Sequence, residues 1–269
     1  MIAETIRVSP DWLDRREAAD AAARSRELVD LIPRRGPAET GWLIHDLACG
    51  SGAMGRWLAP LLPGPQRWIL HDRDADLLAL AAANAPARAD VTIETRLSDV
   101  TRLSAGDLAG ATLLTASALL DLLTEEELTR LVDACAGVGC PVLFALSVTG
   151  RVQLLPADPL DAGIAAAFNA HQRRPTGRGR LLGPDAVEAA VERFERLGAE
   201  VVVRPSSWRL GAAESGLSAE WLAGWVDAAC EQEPALALDA DLYRRRRLRD
   251  AAAGALAVTV GHADLLVLP

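Results

Sequence analysis

The sequence of 269 residues predicts an α/β fold, a doubly wound and mostly parallel sheet covered by helices on both faces. Three observations carry that prediction. Strand-like apolar runs and helical segments take turns, five times over, across the first 150 or so residues, and right-handed crossovers between such units give a parallel sheet. A glycine turn, Gly50-Ser51-Gly52, joins the first strand to a helix. Three acids, Asp46, Asp72 and Asp99, close successive strands, at the carboxyl ends where an open α/β sheet places its ligand cleft.

The first element is a helix. Ser9-Pro10-Asp11 supplies a capping hydroxyl and a first-turn proline, and the spacing predicts one helix to Ile32, stopped by Pro33, with Ala18, Ala22, Ser25, Val29 and Ile32 on its apolar face. Trp42-Leu43-Ile44 then leads as a strand into Asp46 and the glycine turn, and Met54, Trp57, Leu58 and Leu61 recur at helical spacing. Trp68 to Asp72 reads as the second strand, and an alanine-leucine helix runs from Asp74 to Ala85 before Pro86. Val91 to Thr95, Ala111 to Thr115 and Val142 to Val148 read as strands by β-branched and apolar content. Thr124-Glu125-Glu126-Glu127 forms a capping box for a helix ending near Gly137.

The second half departs from this alternation. Asp158-Pro159 starts a helix through Ala170, followed by the basic loop His171 to Arg180, whose composition predicts mobility and exposure. A helix from Pro184 to Leu197 stops at Gly198. Ala199 to Arg204 and Ala255 to Val260 read as the sixth and seventh strands, with helices over 218–231 and 235–252 inserted between them. The implied organisation is an N-terminal helical lid (1–35), a sheet domain (36–210 and 254–269) and a helical insertion (211–253). Trp208, Trp221 and Trp225 either pack the insertion on the sheet or line a flat apolar pocket.

Composition narrows the function. A net charge of −9 argues against a general affinity for nucleic acid. The run Tyr243 to Arg249 is the densest basic segment; on a helix its arginines point around the barrel, as a solvated face or a subunit contact in a homodimer. Cys49, Cys135, Cys140 and Cys230 have neither C-x-x-C pairing nor histidines at ligand spacing, so buried free thiols and no metal are expected. Without an 18-residue apolar run or a signal-peptide pattern, the expectation is a cytoplasmic protein without membrane contact.

Gly50-x-Gly52-x-x-Gly55, with Asp72 downstream, also satisfies the dinucleotide fingerprint. Asp46 decides against it. A carboxylate four residues before the first glycine suits a cationic ligand better than a diphosphate. In Asp46 to Gly52, Trp68 to Asp72, Leu97-Ser98-Asp99-Val100 and Leu113 to Ala118 the chain resembles the class I S-adenosylmethionine-dependent methyltransferases, over residues 40 to 150. The resemblance implies a Rossmann-like sheet of seven strands with an antiparallel sixth and seventh at its edge. It implies S-adenosyl-L-methionine as cofactor, with Asp46, Ala48, Cys49, Gly50, Ser51 and Gly52 as the glycine-rich motif. Asp72 would meet the ribose hydroxyls and Asp99 the adenine amino group, with Arg73, Ser98 and Val100 as further cofactor-binding residues and Ala116 and Ser117 beside the methyl group. Arg16 is the candidate for the cofactor's carboxylate, against a reading as a solvated arginine.

Methyl transfer is an in-line displacement, for which the protein chiefly aligns donor and acceptor. A base is required only for an acceptor that must lose a proton. His171, in the polar loop, is the candidate base or acceptor ligand, against a surface role; Ser117 and Asp121, past the fourth strand, are the next, with a helix cap as the other reading of Ser117. Thr115-Ala116-Ser117-Ala118 lacks the Pro-Pro-aromatic signature of amino-group methylation, which points to a small-molecule acceptor and to oxygen. Two other classes stay open: an NAD(P)-dependent oxidoreductase using the same glycine loop, and a non-catalytic binding module of the same fold.

Overall fold

The computed structural model describes residues 8–32 and 41–269. Pro33 and the expected boundary between residues 35 and 36 lie outside the described residues. Two short helices, α1 (Pro10–Ala23) and α2 (Arg26–Leu31), precede the sheet. Strands β1 (Trp42–Leu47), β2 (Gln66–Asp72), β3 (Val91–Leu97), β4 (Leu113–Ser117) and β5 (Val142–Leu155) are parallel, in the order β3-β2-β1-β4-β5. A separate hairpin pairs β6 (Pro175–Thr176) with β7 (Gly179–Arg180). The main sheet is completed by β8 (Glu200–Pro205), β9 (Trp208–Leu210) and β10 (Ala257–Leu268), with β10 antiparallel between β5 and β8 and also paired to β9. The helices that follow in the chain are α3 (Ala53–Leu58), α4 (Ala75–Ala83), α5 (Glu125–Val138), α6 (Asp161–Gln172), α7 (Ala186–Arg196), α8 (Ser215–Gln232) and α9 (Ala237–Ala252). This is a doubly wound, Rossmann-like sheet. Its strand order reverses between β1 and β4, and such a switch point opens a crevice at the strand ends. Among the described residues no helix is long and apolar enough to cross a membrane.

The N-terminal helix differs from its expected form. It breaks at Arg24, which leaves helical geometry at ψ 138°, and Ser25 caps a second helix by accepting a hydrogen bond from the Leu28 amide. Leu28, Val29 and Ile32 are buried as expected, yet Ala18 and Ala22 face solvent while Asp20 and Arg24 are buried. The inner face of α1 is polar because it roofs the mouth of the sheet and not its apolar side. Asp264 fixes this arrangement from β10. Its two carboxylate oxygens accept the amides of Ser25 (2.7 Å) and Leu146 (2.8 Å).

The last strands also exceed their expected lengths: β5 continues to Leu155 and β10 to Leu268. Gly150, Gly261 and Asp264 interrupt the apolar pattern, and the ladder takes them as irregularities, with register shifts at Val260/His262 and Ala263/Leu265. At Gly261 a Cβ would come within 2.5 Å of Thr149 Oγ1, so only glycine allows the two backbones so close. The extended ends of β5 and β10 hold a core of their own against α6, α8 and α9, in which Ile164, Leu222, Trp225, Tyr243 and Val258 are fully buried. The basic run lies on α9 and works within the chain. Arg244 pairs with Asp227 and Arg246 with Asp158, while the buried Arg247 binds Asp161 and the Pro156 carbonyl (2.6 Å). Arg246 and Arg247 are therefore struts over the β5–α6 connection and Arg244 ties α9 to α8, while Arg245 and Arg249 are exposed, as a solvated face requires.

Candidate functional site

The glycine turn is shaped by backbone conformations that few side chains tolerate. Gly50 (φ +55°) and Gly52 (φ +84°) are left-handed, and a Cβ on Gly52 would press within 3.2 Å of the Ala81 methyl group. Cys49 N–H donates to the His71 carbonyl (2.9 Å), which ties the turn to β2, and the Gly50 amide donates to Asp72 Oδ2 (2.9 Å). The other Asp72 oxygen accepts the Asp74 amide (3.0 Å). Asp72 is thereby fixed beside the turn, with lone pairs left for a ligand.

Two adjoining cavities meet at this turn. The larger, about 650 Å³, runs from Asp72, Ser98 and Asp99 past Gly50 and Ser117 to Phe168, Trp208 and Trp221. The smaller, about 60 Å³, is enclosed by Arg24, Asp46, Cys49, Ser51 and Ser117. Asp46 projects across the switch point, where its Oδ1 accepts the Thr115 hydroxyl at 2.7 Å and its Oδ2 has no partner. Burial pushes its carboxyl up to about 7. Arg24 is 4% exposed; its Nη2 donates to Ser117 Oγ (3.1 Å), it stacks over Trp57 at 5.4 Å, and its Nε has no partner. Burial lowers the Arg24 pKa, and the charges of Asp20, Asp264 and Asp46 oppose that shift. A small chamber thus holds an incompletely satisfied carboxylate and an incompletely satisfied guanidinium, which fits the ammonium and carboxylate of an α-amino acid.

Arg16, the residue expected to meet the cofactor's carboxylate, stands at both cavities. It pairs with Asp20 at 2.9 Å within α1 and lies 5.1 Å over the Trp208 ring, lining both cavities. The buried guanidinium of Arg24 lines the small chamber beside it, and sequence reasoning missed it because one unbroken helix would have turned it elsewhere. Asp20 in turn accepts from Trp208 Nε1 (2.8 Å), and Arg56 joins Glu17 of α1 to the Ser51 carbonyl, so the roof is bolted to the turn beneath it.

Of the other expected cofactor residues, Ala48, Gly50, Asp72, Arg73, Ser98, Asp99, Val100 and Ser117 line the large cavity, and Asp46, Cys49 and Ser51 the small one. Gly52 lines neither; its amide donates to the Cys49 carbonyl and it opens α3. Ala116 also faces away, packed into the core below the sheet, because alternate strand residues point to opposite faces. Asp99 caps the turn Val100–Arg102 through Thr101 while remaining on the cavity wall. His45 and His71 stack with Nδ1 and Nε2 3.0 Å apart, and His71 reaches the Ser98 hydroxyl (3.0 Å). Burial lowers both imidazoles to about 4, so this chain is neutral and positions Ser98.

Among the candidate catalytic residues, Ser117 and Asp121 line the large cavity and His171 does not. His171 lies near the end of α6, where Nε2 faces Glu231 (3.3 Å) and Nδ1 faces Arg174 (3.4 Å); it is Phe168 and Gln172 of the same helix that reach the cavity. The helix continues through the position expected to be loop, and its turn carries the ring away. The rest of the expected loop folds into β6 and β7, from which Arg178 reaches the cavity wall and pairs with Glu127. Ser117 caps no helix, since the next turn begins after Leu119. Asp121 is raised to about 6 by burial, opposed by Arg16. Trp225 packs the insertion, whereas Trp208 and Trp221 line the cavity, so both readings of the tryptophan cluster apply, each to different rings.

No protein-family model matches the chain, and no curated protein matches it. Solved structures that resemble it include a SAM-dependent methyltransferase from Thiobacillus denitrificans in complex with S-adenosyl-L-homocysteine (15% identity, 98% of this chain and 100% of that one, TM-score 0.48). A putative methyltransferase from Bacillus halodurans C-125 matches at 12% identity over 90% of this chain and 95% of that one, with a TM-score of 0.48. The cyclopropane synthase MmaA2 from Mycobacterium tuberculosis matches at 13% identity over 84% and 78%, with a TM-score of 0.44. Likeness at this level assigns neither a substrate nor a reaction.

Proposed function

We propose that the protein is an S-adenosylmethionine-dependent methyltransferase acting on the hydroxyl of a small molecule. One observation carries the reading: Asp46 and Arg24, each with an unpartnered buried polar atom, face one small chamber beside the glycine turn. There the Asp46 carboxylate suits the cofactor's ammonium and Arg24 its carboxylate, while Asp72 suits the ribose hydroxyls and the turn at Ser98-Asp99-Val100 the adenine. When bound, S-adenosylmethionine supplies a methyl group on a sulfonium, an electrophile that needs no further activation. The chain's own tasks are to hold the acceptor, exclude water and take a proton. Asp121 is the group for the last of these, lying on the wall of the large cavity past the end of β4. A dinucleotide fits less well, because the Gly50 amide that would face a diphosphate already donates to Asp72 and the Asp46 charge would repel one.

Calorimetry with S-adenosylmethionine, S-adenosylhomocysteine and NAD tests this. The first two are expected to bind and NAD is not; tight NAD binding with no response to the others would overturn the proposal. Asp72→Ala is expected to weaken S-adenosylhomocysteine binding by about 1–3 kcal/mol, the loss typical of hydrogen bonds to a charged group, and unchanged affinity would refute the ribose assignment. For Arg24→Met the expected loss is about 100-fold, as for a charge-assisted contact made by a buried side chain. Thermal stability should change little in that variant, because an apolar chain replaces a buried cation whose Nε is unpartnered. An unaltered dissociation constant would move the carboxylate site elsewhere.

A further inference from the structure

The Asp264 carboxylate is buried in β10, and two departures from regular backbone meet on it. One is the break in the roof, where Arg24 turns out of the helix at ψ 138° and Asp264 Oδ2 accepts the Ser25 amide at 2.7 Å. The other is Leu146 of β5, left-handed at φ +56° without being a glycine, whose amide donates to Asp264 Oδ1 at 2.8 Å. Conformations of this kind persist only where the surroundings hold them, and they gather at ligand sites.

The break is not written locally. Ala21-Ala22-Ala23-Arg24 is a run of strong helix formers, with no glycine or proline at the break. Left to that propensity, α1 would run on through Arg24 and turn its guanidinium off the small chamber. With the break in place the guanidinium reaches Ser117 Oγ at 3.1 Å. Two amides at a buried site need two acceptors, and a carboxylate supplies both where a neutral amide of the same shape has one.

We propose that Asp264 is a positioning residue for the cofactor: by holding the Ser25 amide it fixes the break that sets Arg24 beside the small chamber, and with it the affinity for the cofactor's carboxylate. The proposal rests on the methyltransferase reading and adds a residue that touches no ligand. A merely structural role for Asp264 would weaken every ligand alike, whereas a positioning role acts on the amino-acid end alone.

S-adenosylhomocysteine and 5′-methylthioadenosine share the nucleoside and the thioether, and only the first carries the amino acid, so calorimetry with the pair tests this. Asp264→Asn leaves one oxygen for two amides. It is expected to weaken S-adenosylhomocysteine about tenfold and to leave methylthioadenosine within about twofold of the native value, which also reports that the variant is folded. In an Arg24→Met background the same substitution should cost S-adenosylhomocysteine nothing further. Ser25→Pro gives a second route, because proline has no amide hydrogen, favours extended backbone at Arg24 and holds a φ close to the −74° of Ser25. Added to Asp264→Ala, whose missing carboxylate leaves room for the ring, it should restore the S-adenosylhomocysteine affinity that Asp264→Ala loses, since it returns the geometry without the charge. Equal loss of both ligands, undiminished S-adenosylhomocysteine binding by Asp264→Asn, full additivity with Arg24→Met or no rescue by proline would each overturn the proposal. If the native protein binds neither ligand, the donor assignment falls instead. Amide hydrogen exchange then decides whether Asp264 holds the break: Ser25 is expected to exchange faster in Asp264→Asn while the more deeply buried Leu146 stays protected, and unchanged exchange at Ser25 would refute it.

Discussion

Asp121→Asn is expected to lower kcat for methyl transfer to a hydroxyl acceptor by about 10²–10⁴-fold, the usual range for removing a positioned base, with little change in the affinity for S-adenosylhomocysteine. The amide keeps the shape of the carboxylate and loses only its ability to accept a proton. Asp121 is suited to the task because it lines the cavity where the acceptor hydroxyl would lie, and burial has raised it to about 6. The ionised carboxylate is the active form. Activity should therefore rise as the pH climbs through about 6 and level off above it, and that limb should be missing from the variant. His262 lines the same cavity, but burial lowers its imidazole to about 3, so it stays neutral and contributes no limb in this range. An Asp121→Asn enzyme with undiminished kcat and an intact limb near pH 6 would remove Asp121 from the mechanism.

The glycine turn and the acids around it were legible in the sequence because short-range rules write them. A glycine turn needs left-handed backbone at fixed places, and acids at strand ends fall in the cleft whatever the rest of the chain does, so Asp46, Gly50, Asp72 and Asp99 could be placed by counting. The same holds for the capping box of Thr124 and Glu127, present as expected with both hydrogen bonds formed. What could not be read depended on contacts distant in sequence. The break at Arg24 is set by Asp264, 239 residues away from the Ser25 amide that it accepts, and no local propensity announces it. A stripe of alanines suggested the wrong buried face for α1, since the surface that it covers is a polar cleft. Helix α6 continues through His171, and its rotation from residue to residue brings Phe168 and Gln172 to the cavity and leaves His171 beside Glu231, the surface role that was its other reading. The length of β10 was hidden by Gly261 and Asp264, residues that would end an ordinary strand and here serve close packing and the support of α2.

Asp46→Asn should separate binding from stability more sharply than any other substitution. The ligand-free protein holds an Asp46 carboxyl whose pKa lies near 7 in place of an ordinary 3.8, with burial as the chief cause, the Thr115 hydroxyl and Arg24 opposing it and Asp72 adding to it. That gap is worth about 4 kcal/mol as an upper bound. Because the folded chain holds this proton more tightly than the unfolded one, the contribution is complete below about pH 4 and is lost as the pH rises through about 7. Asparagine cannot ionise, so the variant's thermal midpoint should overtake that of the native protein between pH 5 and 8, the difference growing with pH. A cationic ligand reverses the advantage. Binding S-adenosylmethionine at pH 7 should drive Asp46 to its ionised form and release about half a proton, readable by calorimetry in buffers of different ionisation enthalpy. The variant should release none and bind the cofactor more weakly, a trade of function for stability at a strained site. Equal proton release by the two proteins, or parallel melting curves at every pH, would show that Asp46 neither stores the unfavourable charge nor meets the ligand's.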